Sequence, residues 1–526
     1  MDCSADSEFG SYRHADELLQ RLIRGERYAS RSAATRRQRA EIKLSRVRAM
    51  LNALGDPQRA YPVVHVTGTS GKGSTAAAVA AILTAAGYRV GLRTSPYLQV
   101  ATEKLQLGHA LIDARSLARL VSGVLNTAAR LFPPEQTEPP ISYAEVWSVL
   151  GYWWFAERGV DIAVVEVGAG GRFDATNVID PIVSVITSVG LDHLVTLGST
   201  IADIAWHKAG IIKPGASVVI GELPAQALAV ITEEAKTASA DLFRAGSIDA
   251  SLPRLTPVAP EFQQHNAKVA TTVARVLAHR GFGISEAAIS TGIGSARLPG
   301  RLERMPATLH PAVWIDGAHN EDKIRAVTRE AVRRRGGGPL PVVVFGMLRS
   351  KDPSSMLAKL GSAASSIVLT EASVHGREAL AAATLAEELN ATGFAGAIHV
   401  EPEPDAAVRC AEVIARGDGA RVLVVGSMYL AGQVRRRWFR DQDIVLQRTP
   451  WPRVTPEGSL GPTRPLGGLV SDKADGKRDQ TSNHQDSAGT DELVIREQGR
   501  RAHSVEHESD RRPHRTQHHE PTPDIH

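Results

Sequence analysis

One stretch, VVHVTGTSGKGSTAAAVAAILTAAG at residues 63–87, constrains the fold more than any other. A short run of apolar and β-branched residues ends in glycines, and an alanine-rich segment follows at once. That is the pattern of a buried strand turning directly into a helix. Gly68, Gly71 and Gly73 permit a tight loop whose backbone N–H groups can face an anion. A helix opening near Ser74 adds the positive end of its dipole. Lys72 then places an ammonium within reach of β- and γ-phosphates. The usual G-x-x-x-x-G-K-[ST] pattern is nevertheless broken. Val66 stands where its first glycine belongs, and Gly73 replaces the hydroxyl that would hold magnesium. The loop predicts a nucleotide, leaves the metal to be found elsewhere, and names no reaction.

The same alternation continues along the chain. YRVGLRTS, DIAVVEVG and PIVSVITSVG are further strands, the last two rich in Val and Ile and apolar enough to be buried on both faces. Helical stretches such as SYAEVWSVLGYWWFAERG separate them, which predicts an α/β fold with a mainly parallel sheet. AVWIDGAHN, LPVVVFGML, SSIVLTEA and ARVLVVGSMYLAG repeat the pattern with helices between them. At 526 residues the chain is long for one domain. We expect a helical N-terminal segment at 1–60, a phosphate-loop domain with a mainly parallel sheet at 61–297, and a smaller Rossmann-like α/β domain at 298–440. Within the first segment, residues 16–54 read as basic and helical, closed by Gly55-Asp56-Pro57; the charge run reads as a solvated helix face. Residues 451–526 are polar and without periodicity, and are expected to be a disordered tail.

Composition narrows the function classes. Hydrophobic residues make up 43% and charged residues 22%, as in a soluble globular protein. The net charge of +4 is spread through the body with no aromatic-interleaved basic patch, so no nucleic-acid partner is expected. Cys3 and Cys410 are the only cysteines, which excludes a disulfide framework and a cysteine-built zinc site. No secretory signal and no apolar run of ~18 residues is present, so no membrane span and a reducing cytoplasm are expected. A monomer is expected.

Three further stretches carry chemistry. RTSPYL places Ser95 on the loop after a strand, VVEVGAGGRFDATNVI places Glu166 on a strand followed by glycines, and SVGLDHLV places Asp192-His193 at a strand end. In an open α/β sheet, side chains leaving the carboxyl ends of strands meet in the ligand crevice. Ser95, Glu166 and His193 should therefore converge beside Lys72. A hydroxyl, a carboxylate and an imidazole there could hold a magnesium against ATP phosphates, although magnesium generally prefers oxygen ligands.

Taken together these motifs resemble the folylpolyglutamate synthase/dihydrofolate synthase family, within the Mur-ligase-like ATP-dependent amide ligases. The resemblance spans about residues 51–437. GTSGKGS matches the family's short loop, so Gly68, Thr69, Ser70, Gly71, Lys72, Gly73 and Ser74 are expected on ATP. The resemblance implies that Ser95 of T-S-P, Glu166 of E-V-G-x-G-G-R and His193 of D-H bind magnesium. It implies too that Lys208 of K-A-G-I is carbamylated and helps a second ion. Arg301 in LPGRLERM is expected on the ATP phosphates, Asp316 and His319 in IDGAHN on the nucleotide, and Gln263 and Asn266 in FQQHNAKVA near the adenine. GSMYLAG resembles the family's closing motif. The implied reaction is ATP-dependent: a pteroate- or folate-like carboxylate takes the γ-phosphate, and the amine of L-glutamate displaces phosphate from the acyl phosphate. Lys72, Lys208 and Arg301 would carry catalysis by neutralising charge.

Departures from the family pattern cluster on the acceptor side. Tyr97 replaces the usual histidine, Lys104 an arginine, Ala144 an aromatic, His207 a glutamate, and Phe262 a histidine. Two other readings stay open at this point: an amide ligase of the same fold that uses another carboxylate, and a nucleotide-binding regulatory protein without catalysis.

Overall fold

The computed structural model describes residues 3–23, 33–136, 139–247, 260–306, 311–349, 352–372 and 378–453. All but the first three residues of the expected tail lie outside them, as do residues 24–32. The first sheet has eight strands: β1 (Val63–Thr67), β2 (Val90–Arg93), β3 (Leu105–Leu107), β4 (Ala110–Leu111), β5 (Ile162–Glu166), β6 (Val183–Ile186), β7 (Ser217–Ile220) and β8 (Asp241–Arg244). Their order is β4-β3-β2-β5-β1-β6-β7-β8. β2 with β3 and β3 with β4 pair antiparallel; the other pairs form a parallel core with β1 between β5 and β6. Every residue of β1 and β5 is buried, as their unbroken apolar runs require.

A second sheet contains β9 (Glu303–Arg304), β10 (Val313–Ile315), β11 (Val342–Phe345), β12 (Ser366–Leu369), β13 (Ala397–Val400) and β14 (Val422–Val425), ordered β13-β12-β11-β14-β10-β9. All its pairs are parallel except β9 with β10. The expected α/β class, with a large mainly parallel sheet and a smaller second one, is what the chain adopts.

The alanines after the glycine loop have a packing reason. Helix Lys72–Ala85 packs on the sheet beside helix Glu261–His279, which touches β6 and β7, and beneath helix Glu286–Ser295, and Ala76, Ala77, Ala78 and Ala80 are buried there. Gly292 lets the last helix come so near that a Cβ would sit 2.3 Å from the Ile82 Cα. The opposite face is covered by helices Cys3–Gln20, Ala33–Ala53, Ala114–Leu131 and Tyr143–Glu157. The helical reading of residues 16–54 thus needs correction, because the first helix begins at Cys3. Tyr12, Ala15 and Leu19 recur at helical spacing and are buried, a stripe too sparse to stand out by pattern.

The two sheets share one core. Leu98 and Val100, beyond β2, belong to the same apolar cluster as Leu430, Ala431 and Val434 beyond β14. Arg435 ties them polarly. Its side chain, 0% exposed, donates to Gln99 Oε1 at 2.5 Å, to both Glu303 oxygens at 2.9 Å and to the Pro450 carbonyl at 2.6 Å.

Candidate active site

The glycine loop leaves β1 and is fixed from β6. Thr69 and Ser70 N–H groups donate to the Ser188 carbonyl (2.9 Å) and Oγ (2.8 Å), and Thr187 Oγ1 donates to the Ser70 carbonyl at 2.5 Å. Gly71 caps the helix with φ 82°, a left-handed conformation that disfavours other residues. A Cβ there would lie 2.2 Å from Asn266 Oδ1, and one at Gly68 1.9 Å from Thr187 Oγ1. Lys72 folds back so that Nζ donates to the Gly68 carbonyl at 2.9 Å.

Glu166 is the last residue of β5, in register with Val66, and so emerges beside the loop. It is 3% exposed, and its Oε2 accepts the Ser95 N–H at 2.7 Å. Burial pushes its carboxyl up, opposed first by Lys72 and then by the Ser95 bond, Arg301 and Arg93. Gly73 now has a physical reason. A Cβ there would crowd Leu298 Cδ2 at 3.1 Å and Glu166 Oε2 at 3.2 Å, so the residue that lacks the usual hydroxyl leaves room for a leucine and a carboxylate.

His193 is exposed, with φ 53°, and β6 ends at Ile186, so Asp192-His193 belongs to the following loop and not to a strand end as the sequence suggests. The loop still reaches the cleft: Ser95, Glu166, Asp192 and His193 all line it with residues 69–74. Lys208, on helix Ile201–Ala209, is only 2% exposed and does not line that cavity. Burial draws its ammonium well below the usual lysine value, with Lys72 and Lys323 acting in the same direction and Asp192 against. Among the described residues no group of three or more His, Cys, Asp or Glu is arranged around a metal position.

The second sheet closes the cleft from the other side. Asp316, at the end of β10, accepts the Leu302 and Ala318 N–H groups at 2.7 Å each, and burial raises its carboxyl. His319 Nδ1 lies 2.7 Å from the Gly317 carbonyl and Nε2 3.1 Å from Lys323 Nζ. The cleft that all these residues line, Arg301 included, measures about 330 Å³. Gln263 sits apart from it, in a neighbouring cavity of about 400 Å³ lined also by Ser74, Asn266, Arg301 and Trp451. A third cavity, about 960 Å³, meets the cleft at Ser95 and Pro96 and is lined by Tyr97, Lys104, Tyr143 and Ala144.

Lys323 and the Asn320–Asp192 contact are absent from the sequence reading. Asn320 caps helix Glu321–Arg334 and its Nδ2 donates to Asp192 Oδ2 at 3.4 Å, joining the second sheet's cleft wall to the His193 loop. The signal was the N-E-D-K run after IDGAH, an N-cap followed by a lysine one turn on.

Comparison with known proteins agrees with this layout. The Mur ligase middle domain matches residues 66–251, and the Mur ligase glutamate ligase domain matches residues 300–428. The folylpolyglutamate synthase of Lacticaseibacillus casei is 34% identical over 421 residues, covering 74% of this chain and 93% of that protein. The chain belongs to the folylpolyglutamate synthase/dihydrofolate synthase family. The dihydrofolate synthase/folylpolyglutamate synthase of Bacillus subtilis is 32% identical, with 75% and 94% covered. Among solved structures, the Mycobacterium tuberculosis folylpolyglutamate synthase complexed with ADP and AMPPCP superposes with a TM-score of 0.72 at 29% identity, covering 82% of this chain and 99% of that one. Both family domains coincide with the two walls of the cleft. Among the described residues, no helix is long and apolar enough to cross a membrane.

Proposed function

We propose that the chain is an ATP-dependent ligase that joins L-glutamate to the carboxylate of dihydropteroate, of folates, or of both, through an acyl phosphate. One observation carries the reading. A phosphate-type loop with a buried carboxylate beside it shares its Ser95–Pro96 wall with a second, larger cavity that has an aromatic lining, so a nucleotide and a sizeable carboxylic acid would lie next to one another. The nucleotide's phosphates rest on residues 68–74, with Lys72 and Arg301 on the transferring group and Asp316 and His319 beside them; Gln263 and Asn266 border the base.

The chain's own oxygens suit a hard cation. Glu166 spends Oε2 on one backbone N–H, and its other oxygen and the Ser95 hydroxyl are engaged by no described group, in a cavity next to the phosphate loop. Ser95, Glu166 and His193 would hold one magnesium, whose chemistry is to neutralise phosphate charge. Burial favours the neutral amine of Lys208, the form that takes up carbon dioxide, and carbamylation would turn it into an anionic oxygen ligand for a second ion.

Neither step needs a protein nucleophile. The acceptor carboxylate attacks the γ-phosphorus and ADP leaves; the glutamate amine then attacks the carbonyl and phosphate leaves. The protein positions the reactants, offsets charge with Lys72 and Arg301, and keeps water from the acyl phosphate between its two walls. We place this activity in the cytoplasm, on a monomer. Incubation with ATP, Mg²⁺, L-glutamate and either dihydropteroate or tetrahydrofolate should release ADP and phosphate with a product one glutamate heavier. Absence of turnover with both acceptors would sink the reading.

A further inference from the structure

Lys104 lies in the wall of the 960 Å³ cavity and is only 3% exposed. Its ammonium lies beside two neighbouring rings, 5.1 Å from the Trp147 centroid and 5.5 Å from that of Tyr143. Among the described residues no hydrogen bond or ion pair engages it. Two other cations in the same wall are committed, Arg46 to Glu145 at 2.8 Å and Arg436 to Asp441 at 3.0 Å, while Arg13, Arg39 and Lys43 line it further from Ser95 in the chain. A buried, unpaired ammonium is costly, and ring faces compensate it only in part. Without an anion the amine can shed its proton instead; an anionic partner would restore the charged form.

We propose that Lys104 binds the reacting carboxylate of the acceptor and thereby sets the cavity's preference for acids over their neutral analogues. This rests on the ligase reading above and adds to it a specificity-determining residue. Three observations fix the class of ligand. Among the described residues the cavity and the nucleotide cleft share the Ser95–Pro96 wall, so the acceptor's reacting end belongs on that side. The Lys104 carbonyl accepts the Thr94 N–H at 3.0 Å, which anchors its backbone to the residue before Ser95. Glu166 and Asp174 favour its charge while Arg93 opposes it, and neither carboxylate forms an ion pair with it among the described residues. Burial, with Arg93 adding, draws the ammonium down to about 7, the mark of a cation that gains from an anionic partner.

Calorimetry on the full-length protein with ADP tests this, using dihydropteroate, tetrahydrofolate and the primary carboxamide of each. The wild type should prefer acid over amide by about tenfold or more, as for one charge-assisted hydrogen bond. Lys104→Met should lose about tenfold to a hundredfold on the acid, little on the amide, and nothing on ADP. Lys104→Arg should keep the preference. Lys104→Gln, a polar neutral, should behave as Lys104→Met and stands in for it if that variant does not fold. A variant that weakens acid and amide equally, or keeps the wild-type preference, overturns the assignment while leaving the ligase reading standing. Failure of the wild type to bind either acid overturns both.

Discussion

At the scale of single residues, the site depends on space denied to side chains. Gly71 combines a left-handed backbone with a Cβ position 2.2 Å from Asn266 Oδ1. Gly71→Ala should therefore lower ATP affinity by at least about tenfold, as displacing the loop by a fraction of an ångström undoes several N–H contacts at once. Nucleotide titration calorimetry reads this directly, and wild-type affinity would contradict it. Glu103 and Lys104 make a second residue-scale case, because burial brings both to about 7 from ordinary values of 4.5 and 10.5. Between pH 4.5 and 7 the unfolded chain loses the Glu103 proton that the folded chain keeps, so stability falls as pH rises. Between pH 7 and 10.5 the unfolded chain holds the Lys104 proton that the folded chain has released, so stability rises with pH. Urea unfolding across these windows should show the first limb flattened by Glu103→Gln and the second by Lys104→Met.

At the scale of elements, the helix that follows the loop is positioned by its small residues. Helix Glu286–Ser295 approaches it at Gly292, where a Cβ would meet the Ile82 and Ala81 backbone. No flexible side chain can yield there. Gly292→Ala should cost about 1–3 kcal/mol by overpacking, measured as a lower urea midpoint, and should loosen nucleotide binding because the same helix presents Lys72. An unchanged midpoint would mean that the two helices can separate freely. The sequence shows the helix through its alanine run, but a lone glycine in a distant segment carries no sign of which helix it faces.

At the scale of the whole molecule, the cleft exists because two sheets are held together through one core and one buried arginine. Arg435 meets Gln99 from one sheet and Glu303 from the other. Arg435→Ala would leave Glu303 buried beside Trp451 Nε1 without its cation, and should cost about 3–5 kcal/mol. The melting temperature should fall, and the KM values for ATP and for the acceptor should rise together, since both cavities span the same junction. A fall in stability with both KM values unchanged would show that the junction holds the fold without setting the cleft.

The sequence by itself determined the layered α/β architecture, because runs of Val and Ile flanked by glycines and amphipathic helices can bury themselves in few other ways. It also indicated the nucleotide, since a glycine loop between a strand and a helix is a local arrangement whose chemistry follows from neighbours in the chain. Ser95, Glu166 and Asp192-His193 were legible as residues at strand ends or just beyond them. Their grouping was readable because parallel strands bring such ends to one edge. What the tertiary structure alone decided is everything that joins distant segments: Glu166 and Leu298 packed against Gly73, Asn320 reaching Asp192, Arg435 between Gln99 and Glu303, and Lys104 beside two rings in the wall of the larger cavity. Burial and partnership are properties of the packed chain, and no local pattern encodes which residue will lie across the gap.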